Sequence, residues 1–263
     1  GSPVRELDSQ EDVPAEAVNV EASKNVKIWA LCVGVGRYDH MPTLKYPDDD
    51  AYQVYAFLKS PEGGALPDNQ VKVLVDEDAN RENILRAMRS LFLKADENDV
   101  VLFYYSGHGL EGAFLPSDYD GYANKLRHEE VKDIFNQSRA KHKLCIADAC
   151  HSGSLLAARS PVTVTLDKYY QAFEDSDGGM ALLMSSKGEE VSLEDNGLRQ
   201  GVFSHYLLKG MKGGADVNHD AIVTIQELYD YVYQKVRAYT GNSQSPVLTG
   251  TFDKNMPVAV VRK

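Results

Sequence analysis

From Lys27 onward the chain alternates short apolar runs with amphipathic stretches. The runs cover residues 28–35, 71–75, 100–105, 143–147 and 180–184, and apolar residues recur at helical spacing over 49–58, 81–94, 128–136 and 200–211. Runs that stay apolar, instead of alternating with polar residues, predict strands buried on both faces. Helices between such strands serve as crossovers of a parallel sheet. The expected fold class is therefore α/β, a three-layer α/β/α sandwich with a mostly parallel central sheet. No internal repeat is visible, so residues 26–263 are read as one domain. Residues 1–25 are polar, acidic and aperiodic, and are read as a flexible leader or an added remnant.

Composition narrows the function classes. Apolar residues make up 43% of the chain and charged ones 25%, as in ordinary water-facing globular proteins. The formal net charge of −11 argues against nucleic acid as a partner, because phosphate backbones select basic faces. No apolar run reaches the ~20 residues of a membrane-spanning helix, and no secretory signal is seen. The opening Gly1-Ser2-Pro3 reads as an added segment, which leaves the native start and the compartment open. Three cysteines in a chain of 263 residues form no disulfide framework. Cys32 and Cys145 lie inside apolar runs and read as small buried hydrophobes, whereas Cys150 lies in a polar, glycine-containing segment.

Two strand ends carry candidate chemistry. The run from Val100 ends in Ser106-Gly-His-Gly109, and the run from Lys143 ends in Asp148-Ala-Cys-His-Ser-Gly153. A helical stretch separates them, so the two strands form a βαβ unit that usually makes neighbours of its strands. Both ends then fall at the carboxyl edge of the sheet, where open α/β folds build their sites. His108 and Cys150 are brought face to face there. A cysteine thiolate is a strong nucleophile, and a neighbouring imidazole lowers the thiol pKa and can protonate a leaving amine. The N–H groups of Gly109 and Cys150 are candidates for an oxyanion hole. A zinc site from His108, Cys150 and His151 is the metal alternative, but no CxxC pair or HExxH helix supplies further ligands.

The two motifs resemble the histidine and cysteine motifs of the caspase-like cysteine peptidase clan, and look closest to metacaspases and the bacterial caspase homologues called orthocaspases. The resemblance extends over residues 26–261 and includes Asp48-Asp-Asp-Ala51 after the first run and residues 185–192 after a later one. It implies a caspase-like fold and a thiol endopeptidase acting through a Cys150–His108 dyad and an acyl-enzyme, with no cofactor required. True caspases carry Gln-Ala-Cys; here Asp148 stands two residues before the cysteine, and His108 precedes it by 42 residues. That difference argues against cleavage after aspartate. In metacaspases, the residues matching Asp148, Ser106 and Asp50 line the primary specificity pocket. The resemblance therefore implies protein or peptide substrates cut after a basic residue, Arg before Lys. For residues 48–50 the alternative is helix capping, with carboxylates beside free N–H groups. Two rival functions stay open: the same dyad with Asp or Asn specificity, and a vestigial interaction module.

One further motif is Asp216-Val-Asn-His-Asp-Ala-Ile-Val-Thr-Ile-Gln-Glu227. Asp216, Asn218, Asp220, Thr224 and Glu227 match the ligand positions of a calcium-binding EF loop, although Ala221 stands where glycine is expected. The alternative is a polar turn capping the helix expected over 225–239. Residues 154–179 lack periodicity and are read either as an activating cleavage region or as a loop rimming the site.

Overall fold

In chain order, β1 (Ile28–Gly34) leads through α1 (Pro47–Lys59) to β2 (Val71–Val75), and α2 (Arg81–Phe92) leads to β3 (Val100–Leu110). The short strands β4 (Ala113–Phe114) and β5 (Leu126–Arg127) precede α3 (His128–Gln137) and β6 (His142–Cys150). Then come β7 (Met180–Met184), β8 (Glu194–Asp195), β9 (Gln200–Gly201) and α4 (Val202–Lys209). The described chain closes with β10 (Ile222–Thr224), α5 (Ile225–Tyr239), β11 (Val247–Thr251) and β12 (Pro257–Val260). This computed structural model describes residues 27–110, 112–150, 179–186, 194–195 and 200–261. The expected leader and the 154–179 segment lie outside them, apart from Gly179.

The main sheet has the strand order β11-β7-β6-β3-β1-β2, and every neighbouring pair is parallel except β11 with β7. The mostly parallel three-layer sandwich read from the apolar pattern is thus the observed fold. Side chains leave alternate faces of each strand and divide the core into two layers. Leu31, Val33, Phe103, Tyr105 and Cys145 pack with α2 and α3 residues such as Ile84, Met88, Ile134 and Phe135. Ala30, Cys32, Tyr104, Leu144 and Ile146 pack on the other face with α1, α4 and α5, through Val54, Phe203 and Leu228 among others.

Local chemistry sets the helix starts. Asn80 caps α2 by accepting the N–H of Asn83 at 2.8 Å. Pro47 opens α1, where its missing N–H costs nothing. The start of β1 is pinned by Asp99, which is 1% exposed and accepts Lys27 N–H at 3.0 Å, Trp29 Nε1–H at 3.0 Å and Asp96 N–H at 2.9 Å. Burial works to raise the pKa of this carboxyl, but those donors outweigh it and hold the pKa below its ordinary value. The antiparallel edge strand β11 was not anticipated, because Thr249-Gly-Thr251 interrupts its apolar pattern. Among the described residues no helix is long and apolar enough to cross a membrane.

Candidate active site

The β3–β6 ladder runs past the ends expected from the apolar pattern. Beyond Tyr105↔Ala147 it pairs Ser106 with Asp148, Gly107 with Ala149 and His108 with Cys150. Neighbouring strands lie roughly 4.8 Å apart, so the register alone sets His108 beside Cys150. The extension has identifiable supports. Val35 N–H bonds Ser106 O at 2.8 Å, and β4 pairs antiparallel with Gly109 and Leu110. Gly109 therefore stays in the ladder immediately after His108. After β7, Ser185 N–H bonds Ala147 O at 2.9 Å and Gln244 Nε2–H bonds Ser185 O at 2.8 Å. The segment following β7 is thereby tied to the cysteine-bearing strand.

His108 is buried, and its imidazole is oriented by a backbone group. Nε2 lies 2.6 Å from the carbonyl oxygen of Pro42. A carbonyl can only accept, so Nε2 carries the proton and Nδ1 is the basic nitrogen of the neutral ring. Two tyrosines hold the backbone of the same residue. His108 N–H donates to Tyr38 Oη at 2.9 Å, and Tyr38 Oη–H donates to Leu115 O at 2.8 Å. Tyr105 Oη lies 2.6 Å from His108 O and 3.0 Å from Leu115 O, donating to both from one proton. The Tyr38 ring also stacks at a tilt on the imidazole, with centroids 4.8 Å apart. Gly107 is required for this closeness: a methyl group there would stand 2.6 Å from Tyr105 Oη and 2.8 Å from Tyr38 Oη. Sequence reasoning missed both tyrosines. The one available signal was a phenol at the end of an otherwise apolar strand, since buried phenols usually find a partner.

A second group of polar side chains sits on the α1 and α4 face. Ser106 and Asp148 are register neighbours, and both are buried. Asp50 is the residue of its triplet that turns inward: Asp49 is exposed, Asp48 half-buried and Asp50 1% exposed. All three lie in the first turn of α1, where their charge suits the helix dipole, and no side chain caps the helix. Gly201 N–H donates to Asp50 Oδ2 at 3.0 Å, and Ser204 Oγ–H donates to Asp148 Oδ2 at 2.7 Å. Both carboxylates press on Gly201, where a methyl group would lie 2.6 Å from Asp148 Oδ2 and 3.0 Å from Asp50 Oδ2. Beneath them Tyr104 Oη lies 2.6 Å from Ser204 Oγ. Burial, then Asp50 and then Asp148, pushes the Tyr104 phenol well above its ordinary pKa, so it stays protonated and can donate. The pocket thus holds two buried carboxyl groups with the Tyr104 and Ser204 hydroxyls beside them. Ser204 and Gly201 come from α4 and the residue before it, far along the chain, and no sequence spacing points to them.

Cys32 and Cys145 are fully buried, and burial alone pushes both thiols far above their ordinary pKa. They are inert at neutral pH. The zinc alternative, which needs His151, falls outside the described residues; among those described, no three His, Cys, Asp or Glu side chains are grouped to hold a metal. Of the calcium-loop residues, Asp216 is buried and Asn218 and Asp220 are exposed. Thr224 and Glu227 form a capping box at the start of α5, as the capping alternative expected.

The caspase domain of the Peptidase_C14 family matches residues 27–257. A probable protease from a Desulfuromonadales bacterium is 25% identical over 249 residues, covering 79% of this chain and 29% of that protein. Metacaspase-2 of Trypanosoma brucei brucei is 30% identical over 148 residues, covering 48% of this chain and 42% of the relative. Metacaspase-1 of Candida albicans is 29% identical over 151 residues and is covered over 33% of its length. The chain thus spans less than half the length of these relatives. A crystal structure of a Geobacter sulfurreducens protein superposes with a TM-score of 0.61 at 18% identity, covering 90% of this chain and all of that one, which is a likeness of fold.

Proposed function

Because this chain belongs to the caspase-domain family of peptidases, we propose that it is a cysteine endopeptidase cutting peptide bonds after a basic residue, Arg before Lys. The observation that carries the reading is the β3–β6 register, which sets His108 beside Cys150. Nδ1 of His108 takes the thiol proton, and the thiolate attacks the scissile carbonyl carbon. The N–H groups of Gly109 and Cys150 receive the negative charge that develops on the carbonyl oxygen. The C–N bond then breaks, and the imidazolium gives its proton to the leaving amine. A water, deprotonated by the same imidazole, hydrolyses the thioester and regenerates the thiol. Every proton is accounted for by one histidine, so the cycle needs no cofactor. Pro42 O supports this by fixing the tautomer.

Two buried carboxylates with a hydroxyl beside them favour a cationic side chain before the cut. A guanidinium can bridge both, whereas an aspartate would add a third anion to a poorly solvated pocket. A fluorogenic peptide library varied at the residue before the cut tests activity and specificity together. Cleavage led by Arg and absent in Cys150→Ala is expected. Cleavage after Asp would overturn the specificity alone. No cleavage, together with Cys150 alkylation by iodoacetamide at the rate of an ordinary thiol, would favour the vestigial module.

A further inference from the structure

Residues 216–227 connect the turn after α4 to α5, and their polar oxygens turn toward their own backbone. Asp216 Oδ2 accepts Ala221 N–H at 3.0 Å, Asn218 Oδ1 accepts Asp220 N–H at 3.2 Å, and Asp220 Oδ1 accepts Ile222 N–H at 2.9 Å. Ala221 has φ +68°, the left-handed conformation that a calcium loop assigns to glycine at its sixth position. The capping box follows, in which Thr224 Oγ1 accepts Glu227 N–H at 3.2 Å and Glu227 Oε1 accepts Thr224 N–H at 3.1 Å. Capping therefore accounts for one oxygen of Glu227 and leaves the other unexplained.

Two carboxylate oxygens in this loop are buried without a hydrogen-bond partner. One is Oδ1 of Asp216, a residue only 8% exposed, and the other is Oε2 of Glu227. Burying a carboxylate oxygen with no donor is costly, and proteins rarely leave one so without an ion or a water. These two sit at the first and last ligand positions of the twelve-residue loop. The N–H groups of Asp216, Val217, Asp220, Ala221, Ile222, Thr224 and Glu227 already have acceptors, so a hard cation is the group that best answers both oxygens.

We propose that this loop binds calcium. Asp216, Asn218, Asp220 and Glu227 supply side-chain oxygens, the Ile222 carbonyl a backbone oxygen, and Thr224 acts through water. Among the described residues no three acidic side chains yet converge on one point, so binding requires exposed Asp220 to turn inward. The two outer ligands are the ones already buried. Oε1 of Glu227 can keep its capping bond on one lone pair and face the ion with the other. A flexible loop ending in a bidentate carboxylate suits calcium better than the smaller, rigidly octahedral magnesium.

The test is thermal unfolding and titration calorimetry of the full chain in EDTA, in calcium chloride and in magnesium chloride. Asp216→Asn and Glu227→Gln are compared with wild type. Both replacements keep an acceptor for the bonds to Ala221 N–H and Thr224 N–H, so folding in EDTA is preserved. With calcium about a hundredfold above its dissociation constant, the wild-type melting temperature should rise by about 5–10 °C, and magnesium should do much less. Either variant should lose the rise. No calorimetric or thermal response of the wild type at about 10 mM calcium, well above the range of calcium-loop affinities, would overturn the proposal. A response retained in both variants would overturn it too, since calcium would then be held elsewhere. Should one variant fail to fold in EDTA, the other decides.

Discussion

His108 stands beside Cys150 in the β3–β6 register while its Nε2 faces the carbonyl oxygen of Pro42 at 2.6 Å. A group that orients the imidazole is thus a backbone carbonyl from the loop after β1. A carbonyl cannot take up a proton or lose one near neutral pH, so the tautomer is held whatever the nearby acids do. The carboxylates of this site belong to the other group, with Ser106 and Ser204. Catalysis and specificity should therefore separate on mutation.

Cys150→Ala and His108→Ala should each reduce turnover below about a hundredth of wild type, and the double change should add little, because the two residues act as one unit. Cys32→Ala and Cys145→Ala should leave kcat unchanged and lower stability by roughly 1–2 kcal/mol, the cost of small core voids. Turnover of a fluorogenic peptide and urea unfolding measure the two effects. A Cys150→Ala enzyme that still turns over would remove the nucleophile assignment.

The tyrosines under His108 give a subtler expectation. Tyr38→Phe takes away the acceptor of His108 N–H and the donor to Leu115 O, and Tyr105→Phe takes away the donor to His108 O. Each loss should cost about 1–3 kcal/mol of stability. Well below the melting temperature, kcat should still fall by about tenfold with KM nearly constant, because the imidazole is displaced and the pocket is not. The rate of Cys150 alkylation against pH should change with it. Phenylalanine variants that lose stability but keep kcat and the alkylation profile would reduce both tyrosines to core packing.

How far the sequence reveals this molecule depends on the range of each signal. Runs such as 28–35 and 100–105 are buried on both faces, so their strands could be read directly. The neighbouring placement of β3 and β6 followed from the crossover rule, and with it the meeting of His108 and Cys150. The continuation of pairing through Ser106, Gly107 and His108 was hidden, because small polar residues carry no strand pattern. Gly201 and Ser204 were invisible for another reason. They reach Asp50 and Asp148 across 151 and 56 residues of chain, contacts that only the packed α4 creates. Among the three consecutive aspartates, composition could not choose; the first turn of α1 turns Asp50 inward.

Acid stability should depend on Asp99. Its folded pKa is depressed, so the stability it contributes is present in full above the unfolded value and is lost as pH falls through the folded one. The loss should begin below about pH 4, near the ordinary carboxyl range. Asp99→Asn sets an amide N–H against one of three donors and should cost about 1.5–3 kcal/mol at pH 7. Below about pH 4 the gap between variant and wild type should narrow. Urea midpoints at pH 7 and pH 3 measure it. A gap equally wide at both would mean that the charge of Asp99 is not what stabilises β1.

The pocket with two carboxyl groups makes the most exposed prediction. Asp50 and Asp148 both press on Gly201, and Tyr104 and Ser204 lie beneath them with hydroxyls to donate. Two carboxylates at one backbone position repel each other when both are ionised, and a cation entering between them gains from both. Arg does so with a planar, forked group that can bond two carboxylates at once, and Lys with a point charge, so Arg should lead and Asp should be undetectable. Asp148→Ala should lower kcat/KM for an Arg peptide by about a hundredfold or more, the range for breaking a buried ion pair, while Cys150 alkylation stays at the wild-type rate. Gly201→Ala tests the same pocket without removing a charge. Its methyl group would push Asp148 Oδ2 and Asp50 Oδ2 aside, so Arg cleavage should fall and alkylation should hold. Paired peptides differing only before the scissile bond, assayed with both variants, decide the matter. An Asp148→Ala enzyme that cuts Arg peptides like wild type would show that the substrate cation binds elsewhere.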